Sequence, residues 1–186
     1  MNSKLSKLLR IFVMGMLILI NYVLQTTFWA EFAIMGVTPD TALILIVGYG
    51  ILRGDVEGAI FGFSAGILQD IFSGMYIGVF ALFGFLTGYA AGSPFRSFFK
   101  NNYLLPFFLV IVVSLVHQFL LYIATMLFMG QLDFSHYFST VIFPTTIYTA
   151  SVSIPIFAFL YFVNAKIEAY EKGRRHMFTN STDQEE

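Results

Sequence analysis

The chain has 186 residues and a formal net charge of -1, with 58% hydrophobic, 18% aromatic and 11% charged residues and a mean hydropathy of +0.77. This composition excludes an ordinary soluble domain and marks an integral membrane protein. The absence of cysteine excludes disulfides and thiolate metal or redox chemistry, and the lack of an extended basic patch excludes a nucleic-acid partner.

The first expected span is 8–29, an apolar run of 22 residues that covers a hydrocarbon core of about 30 Å at about 1.5 Å per residue. Lys4, Lys7 and Arg10 precede it as in a signal peptide, but the run outlasts an h-region and no A-x-A site follows, so it is expected to be retained. Asn21 and Gln25, four apart, form a polar stripe suited to another membrane helix. Thr38-Pro39-Asp40 then reads as a helix start, with Thr38 as cap, proline in the first turn and Asp40 at the positive end. Asp40 is equally open to a role in recognition at the outer surface.

The second span, 39–52, is only about 21 Å long and needs shielding neighbours or a thinner bilayer. Arg53-Gly54-Asp55 is a polar turn in which Arg53 anchors the cytoplasmic boundary. Asp55 and Glu57 open the third span, 56–72, as helix-terminal acids, and Ser73-Gly74 turns the chain into the fourth, 75–92. The fifth and sixth, 104–128 and 141–163, flank a short polar loop with Gln131, Asp133 and His136. A membrane domain of residues 1–172 thus ends in a cytoplasmic helical extension, 164–172, and 173–186 reads as a disordered tail.

Basic residues at span ends favour the cytoplasmic side. All ten lysines and arginines fall in alternate connections, so the expected fold is an all-α integral membrane bundle of six transmembrane helices with both termini cytoplasmic. Gly50, Gly54, Gly58, Gly62 and Gly66 stand four apart, and the stripe ends on Asp70. From Gly58 onward it occupies one helix face; Gly84, Gly88 and Gly92 repeat the device in the fourth span, and the two faces are expected to pack together. Asp70 allows two readings: acceptor for the free amides at the start of the fourth helix, or contact with a partner or ligand.

His117 and Gln118 lie near the middle of the fifth span, where at least one should bond to another helix. A structural histidine is the favoured reading, because a proton relay needs paired titratable groups at one depth and only His117 stands there. Pro144 and Pro155 suggest bends in the sixth span, whose serines and threonines can bond within or across helices. Catalysis finds little support, since the chain is read as having no Gly-x-Ser-x-Gly turn and no paired acid and histidine motif such as His-Glu-x-x-His, and no metal or cofactor site is expected.

The run Pro39-Asp40, Leu52-Arg53-Gly54, Glu57-Gly58-Ala59, Gly62-Phe63-Ser64-Ala65-Gly66, Asp70, Ser73-Gly74, Gly78 and Gly88-Tyr89-Ala90-Ala91-Gly92 resembles the rod shape-determining MreD family. The match by motif covers residues 38 to 92. The resemblance implies a lipid-embedded scaffold of the bacterial cytoplasmic membrane with no reaction of its own. Its partners would be MreC directly, and MreB, RodA and a class B penicillin-binding protein less directly. It also implies the fold of substrate-binding components of energy-coupling-factor vitamin transporters, which supplies the rival function. The first span has Gly15 among bulky residues and no Ala-x-x-x-Ala, which counts against docking a coupling subunit. On the scaffold reading, MreC enters a groove on the outer half, near Asp40, Asp70 and the Gly74 to Gly78 turn.

Overall fold

The computed structural model describes residues 2–34, 36–73, 78–92, 104–130, 133–160 and 162. Among the described residues six helices follow one another. Helix α1 (Asn2–Val23) runs on through a π turn (Leu24–Phe28) and a last turn (Trp29–Glu31). Then come α2 (Thr41–Arg53), α3 (Asp55–Ser73), α4 (Val79–Gly92), α5 (Leu104–Met129) and α6 (Phe134–Leu160), the last with its own π turn at Phe138–Ile142. Among the described residues there is no strand, only an isolated bridge between Ile34 and Val37.

Phe12–Glu31, Pro106–Leu127 and Phe134–Leu160 are long and apolar enough to cross a membrane, whereas α2 and α4 have 13 and 14 residues. Among the described residues three of the six expected spans are thus helices of membrane-crossing length, and α2, one of the short ones, is sheltered by its neighbours. Helix α2 is apolar on all sides, the pattern of a helix with no solvent face, and Thr41 to Gly48 are all buried. On one side Leu43, Ile44, Val47 and Ile51 pack with Ala91 of α4 and Val110 of α5, backed by Val152, Ile156 and Phe157 of α6. On the other, Leu45 and Ile46 meet Phe61 and Ala65 of α3, Leu160 of α6, and Met14, Leu17 and Ile18 of α1. Helix α1 is peripheral and leaves Phe12, Met16, Leu19 and Val23 exposed.

Three helix starts differ from the sequence reading. Asp40, not Thr38, is the N-cap of α2: its Oδ1 accepts from the Leu43 amide at 3.0 Å, and the helix begins after Pro39 rather than on it. Helix α4 begins at Val79, after Gly78 at φ 88°; residues 75–77, read as its first turn, lie outside the described residues. Helix α6 begins at Phe134, seven residues before the expected 141, because Asp133 accepts from the Ser135 amide at 3.0 Å and opens a helix through the supposed loop. Pro144 cannot donate to the preceding turn, and the π turn ahead of it widens the backbone where its ring would clash. The extension 164–172, the tail 173–186, Gly74 and Gln131 also lie outside the described residues.

Gln25 is spent within the bundle. Its Oε1 accepts from the Thr41 hydroxyl at 3.0 Å and from the Ala42 amide at 3.3 Å, fastening α1 to the first turn of α2. Replacing it with leucine removes the acceptor from a buried hydroxyl and a helix-terminal amide, at an expected cost of about 2 kcal/mol. Thermal unfolding of Gln25→Leu in detergent measures this, and an unchanged midpoint would refute the role given to the amide.

Candidate functional site

The glycines read as packing positions meet backbone to backbone. A Cβ built on Gly62 would collide with the carbonyl of Gly84, one on Gly84 with the carbonyl of Gly62, and one on Gly88 with the carbonyl of Gly58. Gly66 faces the backbone of Phe80 and Ala81, and Gly92 faces Gly54 and Asp55. Six glycines thus close the α3–α4 pair along its length. The ladder is not one stripe, however. Gly54, at φ 103°, ends α2 and reverses the chain, so Gly50 belongs to α2 and comes back against Gly58, where a Cβ would lie 2.6 Å from the Gly50 Cα. Gly50, Gly58 and Gly88 form the point where three helices converge.

Ser64 sits within Gly62-Phe63-Ser64-Ala65-Gly66, a Gly-x-Ser-x-Gly spelling, so the sequence reading was wrong to find none in the chain. It carries no nucleophile chemistry: the segment is continuous helix, not a strand-to-helix elbow, and the hydroxyl donates to the Ile60 carbonyl at 2.8 Å. Among the described residues no group of three or more potential metal ligands comes together.

Asp70, buried at the far end of the α3 stripe, receives the first turn of α4. Its Oδ1 accepts from the Phe80 amide at 3.1 Å and its Oδ2 from the Ala81 amide at 2.9 Å. A carboxylate from one helix thereby caps the next and complements its positive end. Beside it an open groove of about 700 Å³ runs between α3 and α4, with Asp70 and Gly78 at one end and Phe63, Ile67, Leu82 and Phe85 on its walls. Arg53 is the last residue of α2, and Asp55 and Glu57 lie in the first turn of α3, where Asp55 Oδ1 accepts from the Val56 amide at 2.9 Å.

The sequence reading gave His117 no titratable neighbour; the structure corrects this. Asp40 Oδ2 lies 3.2 Å from His117 Nδ1, with the two side chains 13% and 9% exposed. His117 Nδ1 is buried and lacks the alignment of a hydrogen bond. Asp40 also donates its backbone amide to Thr149 Oγ1 at 3.0 Å, so one residue joins the start of α2 to α5 and α6. The pairing was hidden in the sequence because α2 begins inside the bundle. Tyr148 donates to the Phe32 carbonyl at 2.8 Å, which sets the end of α1 level with the middle of α6. From Thr149 back to Phe134 is on the order of 20 Å of helix, and α5 continues past His117 to Met129. The α5–α6 pair therefore overhangs the ends of the other helices.

An apolar exterior, two buried polar clusters and backbone-packed helices define a helical membrane protein. Its sequence matches the rod shape-determining protein MreD family over residues 6–166, and the chain belongs to that family. Membership gives it a part in determining rod shape, in a family of structural, shape-determining proteins. No curated protein and no solved structure gives a significant match.

Proposed function

We propose that the chain is a non-catalytic, multi-pass scaffold of the bacterial cell-elongation machinery, seated in the cytoplasmic membrane with both termini in the cytoplasm. On this reading it binds MreC directly and helps couple MreB, RodA and a class B penicillin-binding protein to peptidoglycan synthesis. Family membership and the one-sided distribution of ten basic residues support it. With that orientation, the Asp40 and Asp70 ends of the helices face outward.

The observation that carries the partner reading is the groove between α3 and α4. Its walls are apolar and its floor is a helix pair locked by backbone contacts, so it keeps its shape without an occupant. A membrane helix of MreC laid against Phe63, Ile67, Leu82 and Phe85 covers side chains otherwise left to lipid. Affinity purification of the tagged protein from its native membrane in mild detergent is expected to recover MreC. Gly62→Leu and Gly66→Leu, which force the groove's floor apart, should abolish recovery at normal expression, whereas Asp133→Ala, at the exposed N-cap of α6, should not. Full recovery by both glycine variants would refute the packing argument. Coupling-factor subunits or a stoichiometric vitamin in place of MreC would overturn the scaffold reading itself.

A further inference from the structure

We propose that the groove between α3 and α4 selects a membrane helix bearing a lysine or arginine two turns beyond the side chains it lays between Phe63 and Phe85, with Asp70 as the counter-charge. This rests on the reading of the groove as a helix-docking site and adds the chemistry of the helix that fits it. The groove's length comes first. Phe63 and Asp70 stand seven residues apart on α3, and Phe85 and Gly78 stand seven apart on α4. The two walls are held level by the contacts of Gly62 with Gly84 and of Gly66 with Phe80, so they run together for about 10 Å, two turns of helix. Phe63, Ile67, Leu82 and Phe85 are exposed along that length, and Asp70 is the one polar side chain lining it.

The charge at the end of the groove comes second. Each Asp70 oxygen accepts one amide hydrogen, the arrangement of an ionised carboxylate, which has room for about four donors. Among the described residues the Phe80 and Ala81 amides are all that reach those oxygens, and a helix end supplies only about half a unit of positive charge. The groove therefore ends on net negative charge with no cation opposite it. A Cβ built on Gly78 would meet nothing within 4 Å, so a partner has space to arrive beside the acid. A helix laid on the walls strips the last solvation from the edge of Asp70. An apolar residue at that level returns nothing for the loss, whereas an ammonium or guanidinium neutralises the carboxylate as it is covered. The long apolar stem of lysine or arginine suits an acid that closes an apolar wall, and an acidic residue there is excluded by repulsion.

Three synthetic leucine-alanine helices of about 20 residues test this, alike except for a lysine, glutamine or glutamate at the end that meets Asp70. The chain has no cysteine, so a fluorescent donor can be placed on the full-length protein at Leu19→Cys, an exposed site on α1, and each acceptor-labelled helix titrated in phosphatidylcholine vesicles. The lysine helix should bind about tenfold more tightly than the glutamine helix, and the glutamate helix most weakly. The lysine advantage should vanish in Asp70→Asn, which keeps an acceptor for the first turn of α4. Equal binding by the lysine and glutamine helices, or an advantage that survives Asp70→Asn, overturns the counter-charge and leaves the groove standing as a docking surface. If none of the three binds, the groove is not a helix site, and the partner reading built on it falls as well. If Asp70→Asn does not fold, the order of the three helices on the native side chain decides.

Discussion

Gly62→Ala is expected to lower the unfolding midpoint of the purified protein by on the order of 10 °C, and Gly62→Leu to prevent recovery of a monodisperse species. The obstacle is not a flexible side chain. The added carbon would lie inside the carbonyl of Gly84, with its nearest side-chain neighbour, Ile46, at 3.0 Å, so α3 and α4 must separate before it fits. Overpacking a core that repacks costs about 1–3 kcal/mol; here the yielding element is backbone, and separating the helices also loosens Gly58 from Gly88 and Gly66 from Phe80. Gly15, on exposed α1, has nothing within 4 Å of a built Cβ, and Gly15→Ala serves as the matched control with no expected shift. Thermal unfolding followed by the fluorescence of Trp29, the one tryptophan, gives the comparison. Equal midpoints for the two alanine variants would show that the helices are not in backbone contact.

Asp70→Leu should be nearly as damaging, for a different reason. Two amides in the first turn of α4 lose their acceptors at a buried site, at roughly 1–3 kcal/mol each, or a midpoint lower by on the order of 10 °C in a chain of this length. Asp70→Asn keeps one acceptor oxygen and should lose about half as much. The pair also separates the two roles open to this acid. Graded instability with partner recovery proportional to folded protein assigns it to capping, whereas a stable Asp70→Asn that no longer recovers MreC assigns it to recognition.

Much of the α3–α4 arrangement was legible because it is written in local spacing: glycines four apart mark one helix face, and an acid one turn beyond them marks the place of a cap. The break in the ladder was legible too, since Arg53-Gly54-Asp55 reads as a turn between two spans and Gly54 has a positive φ there. What spacing does not reveal is that Gly50 then comes back against Gly58 across that turn. The start of α6 was misread because Gln131, Asp133 and His136 together suggest a polar loop. In the helix Ser139 and Thr140 turn back to the carbonyl of His136, satisfying themselves locally, and the π turn accommodates Pro144. The pairing of Asp40 with His117 was illegible for a third reason. It depends on the depth at which α2 begins, and depth follows from packing between distant segments rather than from any pattern within one.

The burial of α2 also constrains how the chain is made. Its 13 residues are too few to cross a bilayer alone, and much of what shelters them belongs to the last helix: Thr149 at the start of α2, Phe157 and Leu160 against Gly48. During synthesis α2 leaves the ribosome well before these residues exist, so the amide of Asp40 and one flank of α2 wait uncovered while α3, α4 and α5 are threaded into lipid. Assembly is therefore completed from the C-terminal side. A nascent chain stalled before Thr149 should remain open to membrane quality-control proteases, and the commitment to a stable product falls to the final segment translated into the bundle.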